Sequence, residues 1–104
     1  MQERRTSKFI LRLVENADYL AQKAGEDVAF RFYAAVDETC EIIMRQPSMG
    51  LLLRYPDPEL ANLRLHPVEP PFNKWLIIYH FEAETVTFWT VEHGAQDLPK
   101  KLSE

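Results

Sequence analysis

The sequence predicts a single α+β domain of two layers, an N-terminal helix hairpin packed on an antiparallel sheet of three to four strands. Three observations carry this. Residues 7–23 and 26–46 each repeat apolar side chains at helical spacing. Residues 72–97 hold two runs rich in β-branched and aromatic residues, joined by the polar link Glu82-Ala83-Glu84, which is the pattern of a β-hairpin. The 104 residues suffice for one domain, 1–104, and are too few for two.

Taken in order, residues 2–5 are polar and form at most a short edge strand. Thr6 or Ser7 can cap the first helix, because a side-chain oxygen accepts from the unpaired N–H groups of a first turn. Phe9, Leu13, Val14, Ala17, Leu20, Ala21 and Ala24 give its apolar stripe, with Arg12, Glu15, Asn16, Asp18 and Gln22 on the solvated side. Gly25 ends it by taking a positive φ, and Glu26-Asp27 place negative charge where the next helix dipole favours it. Val28, Phe32, Ala35, Val36, Cys40, Ile43 and Met44 make the second stripe, and Pro47 stops that helix. Residues 47–50 turn, and the prolines of 55–58 keep the following stretch irregular after Leu51, Leu52 and Leu53. Residues 62–68 alternate well enough for a strand that ends near Pro67, which lacks a donor. In the hairpin, Trp75, Ile77, Tyr79 and Phe81 share one face while Leu76, Ile78 and His80 share the other. Both faces are apolar, so both require a cover. After Asp97, acting as a cap, a short terminal helix is expected around Pro99.

Composition narrows the functional classes. Twelve Lys and Arg against sixteen Asp and Glu leave a net charge of −4, which argues against wholesale electrostatic binding to nucleic acid, and no direct sequence-specific nucleic acid binding is expected. Arg4, Arg5, Lys8 and Arg12 crowd the start of the chain as a solvated helix end. No apolar run is long enough to span a bilayer or to serve as a signal peptide, so no membrane partner is expected and the cytoplasm is the default location. Cys40 is the only cysteine; it lies in the second apolar stripe and reads as a buried, inert thiol. His66, His80 and His93 fall on three different strands without ligand spacing, so neither metal nor cofactor is expected. The three glycines are too far apart for a phosphate loop.

The order of six short motifs carries more information than any one of them. Ala17-Asp18-Tyr19-Leu20-Ala21, Val28-Ala29-Phe30-Arg31-Phe32, Gln46-Pro47-Ser48-Met49-Gly50, Asn62-Leu63-Arg64, Trp75-Leu76-Ile77-Ile78-Tyr79 and Val91-Glu92-His93-Gly94-Ala95-Gln96-Asp97-Leu98 together resemble the RelE/ParE toxin family, and more closely its ParE-like branch. The resemblance implies a bacterial toxin of a type II toxin-antitoxin, or plasmid stabilization, module, neutralised by a cognate ParD-like antitoxin whose C-terminal segment wraps the toxin. A homodimer, or a heterotetramer with the antitoxin, is the assembly it suggests. An antitoxin covering about 400 Å² of apolar sheet would contribute on the order of 10 kcal/mol before ordering costs; the alternative cover is the chain's own C-terminus with a second copy.

The two branches differ in chemistry. RelE-like members cleave messenger RNA on the ribosome and carry an arginine in the strand where this chain has Leu76. Loss of cations removes the main term stabilising a phosphorane. ParE-like members bind DNA gyrase and need no catalytic residue, so the resemblance implies a gyrase inhibitor and not an enzyme. The alternatives are a RelE-like ribosome-dependent nuclease and a degenerate toxin that retains only antitoxin binding. Gln96 departs from the arginine common in the family, and Gln cannot reproduce a bidentate carboxylate pair. The candidate target-binding residues are Arg64, His93, Gln96 and Asp97, with Arg64 serving either a structural ion pair or a target contact. For the antitoxin they are Trp75, Ile77, Tyr79 and Trp89, because large aromatics at a desolvated centre dominate binding energy; Tyr79 also reads as a core residue whose hydroxyl reaches a partner at the rim. A one-residue error in the faces would substitute Leu76, Ile78 and Phe88.

Overall fold

The computed structural model describes residues 1–94 and 98–103. Its elements are β1 (Gln2–Arg5), α1 (Ser7–Ala24), α2 (Glu26–Arg45), β2 (Leu51–Leu52), β3 (Leu63–Pro67), β4 (Trp75–Glu82), β5 (Thr85–His93) and α3 (Leu98–Ser103), with 3-10 turns at Pro47–Met49 and Pro58–Leu60. The helix hairpin and the strand hairpin both form where their periodicities place them. The sheet is larger than expected, with five strands in the order β1-β5-β4-β3-β2. It is also mixed, because β1 runs parallel to β5 while the other pairs are antiparallel.

Both edge strands lie where sequence patterning is weakest: residues 2–5 form the short edge strand allowed for them, and β2 is the strand beyond the three to four expected. Gln2–Arg5 shows no alternation, yet its backbone pairs with 85–88. Arg5 also lies over the Phe9 and Phe88 rings, at 5.5 and 6.0 Å, and its Nη1 bonds Asp37 at 3.2 Å. Thr6 supplies the cap: its Oγ1 accepts from the Phe9 amide at 3.0 Å and donates to the Trp89 carbonyl at 2.7 Å. That second bond joins the start of α1 to β5 just beyond the end of β1. Leu51–Leu52 pairs only with Leu65 and Arg64, too short a segment to carry a period.

Between the helices Gly25 has φ +97°, which glycine adopts at no steric cost. The helix layer buries Phe9, Leu13, Ala17 and Leu20 from α1 and Phe32, Val36, Cys40 and Ile43 from α2 against Trp75, Ile77, Tyr79, Val86, Phe88 and Val91. Val14 belongs to the predicted stripe but is 41% exposed on its outer margin, and Ala24 is exposed at the helix end. The other sheet face holds Leu63 and Ile78 with Leu60 and Leu102, flanked by Leu53, Tyr55, Leu65, Leu76 and Trp89. The chain therefore covers much of its second face itself, through α3 and residues 53–60.

One irregularity decides where the aromatic residues of β5 point. Ile78 pairs with Thr90 but Tyr79 pairs with Phe88, so Trp89 is an extra residue in a β-bulge. Phe88 and Val91, three positions apart, consequently share the helix-facing core. Trp89 packs on the opposite face. No helix among the described residues is long and apolar enough to cross a membrane.

Candidate functional site

A cleft of about 440 Å³ opens where β4 begins and β5 ends, against the side of α1. At its base Trp75 and His93 face each other across the two strands, their rings edge to face with centroids 4.8 Å apart. The indole Nε1 donates to Asn16 Oδ1 at 2.9 Å. Asn16 in turn donates from Nδ2 to the carbonyls of Arg12, at 2.7 Å, and Val91, at 3.3 Å. Both ends of the Asn16 amide are thus used, fixing α1 against the exposed margin of β5.

Glu92 is the unusual member of this cleft, a carboxylate only 4% exposed. It accepts from Thr90 Oγ1 at 2.7 Å and pairs with Arg12 Nε at 3.3 Å, while Arg12 Nη1 reaches Glu15 at 3.1 Å. Burying a carboxylate is tolerable only when it is paired and hydrogen-bonded, and both conditions hold here. Lys8 Nζ donates to the Lys101 carbonyl and ties α3 to α1. Sequence spacing alone puts Arg12 and Asn16 on the solvated side of their helix; the structure turns both toward β5. The signal for this was Glu92, the one carboxylate of β5, which when buried requires a cation from a neighbouring element.

Of the predicted target-binding residues, the two that are described, His93 and Arg64, lie apart. His93 lines the cleft. Arg64 lies across from Tyr79, four residues further along β4 from Trp75. Its Nη1 donates to the carbonyls of Ser48, at 3.1 Å, and Gly50, at 3.0 Å. The structural role expected of Arg64 is therefore met by backbone carbonyls of the 47–50 turn in place of an ion pair. Gln96 and Asp97, and with them the proposed cap of α3, lie outside the described residues.

The residues expected to meet the antitoxin differ in exposure. Ile77 and Tyr79 are fully buried beneath the helices, so they are core and offer no surface in this structure. Tyr79 donates from its hydroxyl to the Pro47 carbonyl at 2.6 Å and accepts from the Gly50 amide at 3.0 Å. Burial pushes its pKa up, partly offset by that amide and by Arg64. Trp75 shows only its edge in the cleft, at 9% exposure. Trp89 is half-buried on the second face, beside Thr6, Lys8 and Leu102. The substitute set fares no better, since Ile78 and Phe88 are also fully buried. Cys40 is buried as expected, its pKa pushed up to about 12 mainly by burial. Among the described residues no group of three or more His, Cys, Asp or Glu is placed to hold a metal ion.

Two helices thus lie on one face of a small five-stranded sheet, with a short C-terminal helix against the other. Over residues 4–98 the sequence matches the family described as ParE toxin of type II toxin-antitoxin system, parDE, and the chain belongs to that family. Among solved structures it is similar to a chain of the chromosomal ParDE TA system from P. aeruginosa, with a TM-score of 0.72 and 13% identity, over 89% of this chain and 95% of that one. At that identity the likeness is one of fold. No curated protein matches the sequence.

Proposed function

We propose that the chain inhibits bacterial DNA gyrase by binding it and stabilising its cleaved complex with DNA, and that a cognate ParD-like antitoxin neutralises it. The observation that supports this reading most is membership of the ParE toxin family over residues 4–98. Binding, not catalysis, carries the activity: Leu76 stands in β4 where the nuclease branch has an arginine, and the two nearest cations of the cleft, Arg12 and Lys101, sit beside Glu15 and Glu92. Such a balanced site stabilises developing phosphorane charge poorly. In this reading His93, with Gln96 and Asp97 close to it in sequence, serves one part of target binding and Arg64 another; a protein-sized target spans both. For the antitoxin, Trp89 and the edge of Trp75 remain.

The test is purified chain added to gyrase and supercoiled plasmid, with cleaved DNA scored after protein denaturation, alongside thymidine and methionine incorporation in cells expressing the chain. Accumulation of linear DNA, with thymidine incorporation falling first, is the expected result. An earlier fall in methionine incorporation would favour the ribosome-dependent nuclease. No effect on either, with soluble expression and antitoxin binding retained, would identify a degenerate toxin in which Gln96 has removed a needed contact.

A further inference from the structure

The two edges of the sheet are built differently. β1 presents Gln2, Glu3, Arg4 and Arg5, and charged side chains of this kind keep a sheet edge from pairing with another chain. β2, the opposite edge, is apolar. Its Leu51 is 67% exposed, and Met49 in the turn before it is 37% exposed. The chain is extended over residues 50–53. Gly50 has φ −66° and ψ 151°, Leu51–Leu52 is strand, and the Leu53 amide donates to the Leu63 carbonyl at 2.8 Å.

The register shows which backbone groups of this edge are open. Leu51 lies opposite Leu65 and Leu52 opposite Arg64, which puts Leu53 opposite Leu63. Bonded and non-bonded pairs alternate along an antiparallel ladder. With Leu53 bonded to Leu63, the next bonded pair is Leu51 with Leu65, and Leu52 turns its N–H and C=O away from β3 to the open side. The side chains follow the same register. Leu51, Leu65 and Ile78 form one row across the second sheet face, where Ile78 and Leu65 are packed and Leu51 is the bare outer end.

We infer that β2 accepts an extended segment of a partner protein as a further strand, and that this segment alternates apolar and acidic residues. Strand addition draws affinity from main-chain hydrogen bonds and specificity from alternate side chains. Here Leu52 supplies the amide and the carbonyl, and an apolar side chain set beside Leu51 lengthens the row. Charge selects the other positions. Residues 42–56 contain Arg45 and Arg54 and no carboxylate, within a chain of net charge −4. Arg54, exposed, follows directly on the extended run, and Arg64 stands across from Leu52. Carboxylates at alternate positions meet these arginines, whereas lysines there are repelled. Strand capture and gyrase inhibition are separate readouts, so loss of one leaves the other standing.

The test is a titration of the isotope-labelled full chain with a short acetylated and amidated peptide of alternating Val and Glu, up to about 1 mM. It is read by amide chemical shifts and by hydrogen exchange at Leu52. Saturable binding is expected, with the shifts centred on residues 50–53 and Leu52 exchange slowed at least about tenfold. The Val–Lys counterpart should bind at least about tenfold more weakly. Leu51→Glu should raise the Kd of the Val–Glu peptide at least about tenfold, and Arg54→Glu about threefold, while the urea midpoint of both variants holds because both side chains are exposed. Absence of saturable binding overturns the proposal, as does binding that leaves Leu52 exchange unchanged. Equal binding of the Val–Lys peptide overturns the acidic partner. Association of the chain with itself through Leu51, in place of peptide binding, would give the edge to a second copy and overturn it as well.

Discussion

The phenol of Tyr79 sits at the closest approach of the sheet to Gly50, accepting from its amide at 3.0 Å while donating to the Pro47 carbonyl at 2.6 Å. A Cβ at Gly50 would lie 2.8 Å from Tyr79 Cε1, so this glycine answers to space. One buried side chain therefore fastens the whole turn between α2 and β2. Removing the hydroxyl with Tyr79→Phe leaves two buried backbone groups unpaired and should cost about 1–3 kcal/mol, read from urea unfolding. The pH dependence follows from the raised pKa. A folded-state pKa above the unfolded value of about 10 gives stability that is complete below pH 10 and lost as pH rises through the folded value. Tyr79→Phe should flatten the stability profile above pH 10, and an unchanged alkaline slope would show that other groups set it.

Arg12 and Glu92 predict a second measurable effect. With Glu92 4% exposed, Arg12→Met leaves a buried carboxylate with Thr90 but without its guanidinium. Loss of one partner from a buried pair costs about 3–5 kcal/mol. The double variant Arg12→Met with Glu92→Met removes the uncompensated charge and should recover more than half of that. A thermodynamic cycle from chemical unfolding measures both, and additive losses would mean that the two residues do not interact.

Much of this fold was legible because it rests on long periodic segments. The 3.6-residue stripes of α1 and α2 and the continuous β-branched and aromatic run of β4 mark these elements, and Trp75, Ile77 and Tyr79 do share one face, as the two-residue period of a strand assigns them. What sequence could not supply was which face the helices take: the helix layer buries Ile77 and Tyr79 completely, which accords with reading Tyr79 as core and leaves Ile77 without exposed surface. The bulge at Trp89 was equally hidden. Nothing in Phe88-Trp89-Thr90 announces an extra residue, yet it moves Trp89 to the face opposite Val91. The cleft is legible only in three dimensions, because Arg12, Asn16, Trp75 and Glu92 come from elements far apart in sequence and their polarity alone reads as surface.

The strand hairpin should accept stabilisation. Its two connecting residues, Ala83 and Glu84, have φ of 51° and 60°, as in a two-residue turn whose twist matches the strands. For residues with a Cβ this backbone costs about 1–2 kcal/mol each. An Asn-Gly dipeptide suits such a turn best, so the double substitution Ala83→Asn with Glu84→Gly should raise stability by about 1 kcal/mol or more, seen as a higher melting temperature. No gain would mean that the free chain already favours the native turn.

Cys40 offers a probe of opening. Fully buried, with its pKa pushed up to about 12, its thiol is both inaccessible and protonated at neutral pH, and the thiolate is the reactive form. Labelling by a disulfide reagent at pH 8 should be slower than in denaturant by a factor close to the unfolding equilibrium constant. Rapid labelling of the native chain would require the α2 core to open locally.

Arg64 separates structure from recognition. One nitrogen, Nη1, holds both the Ser48 and Gly50 carbonyls, a task that a lysine ammonium with three donors can share. A lysine cannot offer the planar fork that reads a carboxylate through two parallel bonds. Arg64→Ala should lose about 1–2 kcal/mol of stability through the two carbonyls left without their donor. Arg64→Lys should stay within about 1 kcal/mol of the parent. If the guanidinium also contacts the target, Arg64→Lys will lose toxicity at least tenfold despite near-parental stability; toxicity that follows stability in both variants would confine Arg64 to fastening the 47–50 turn.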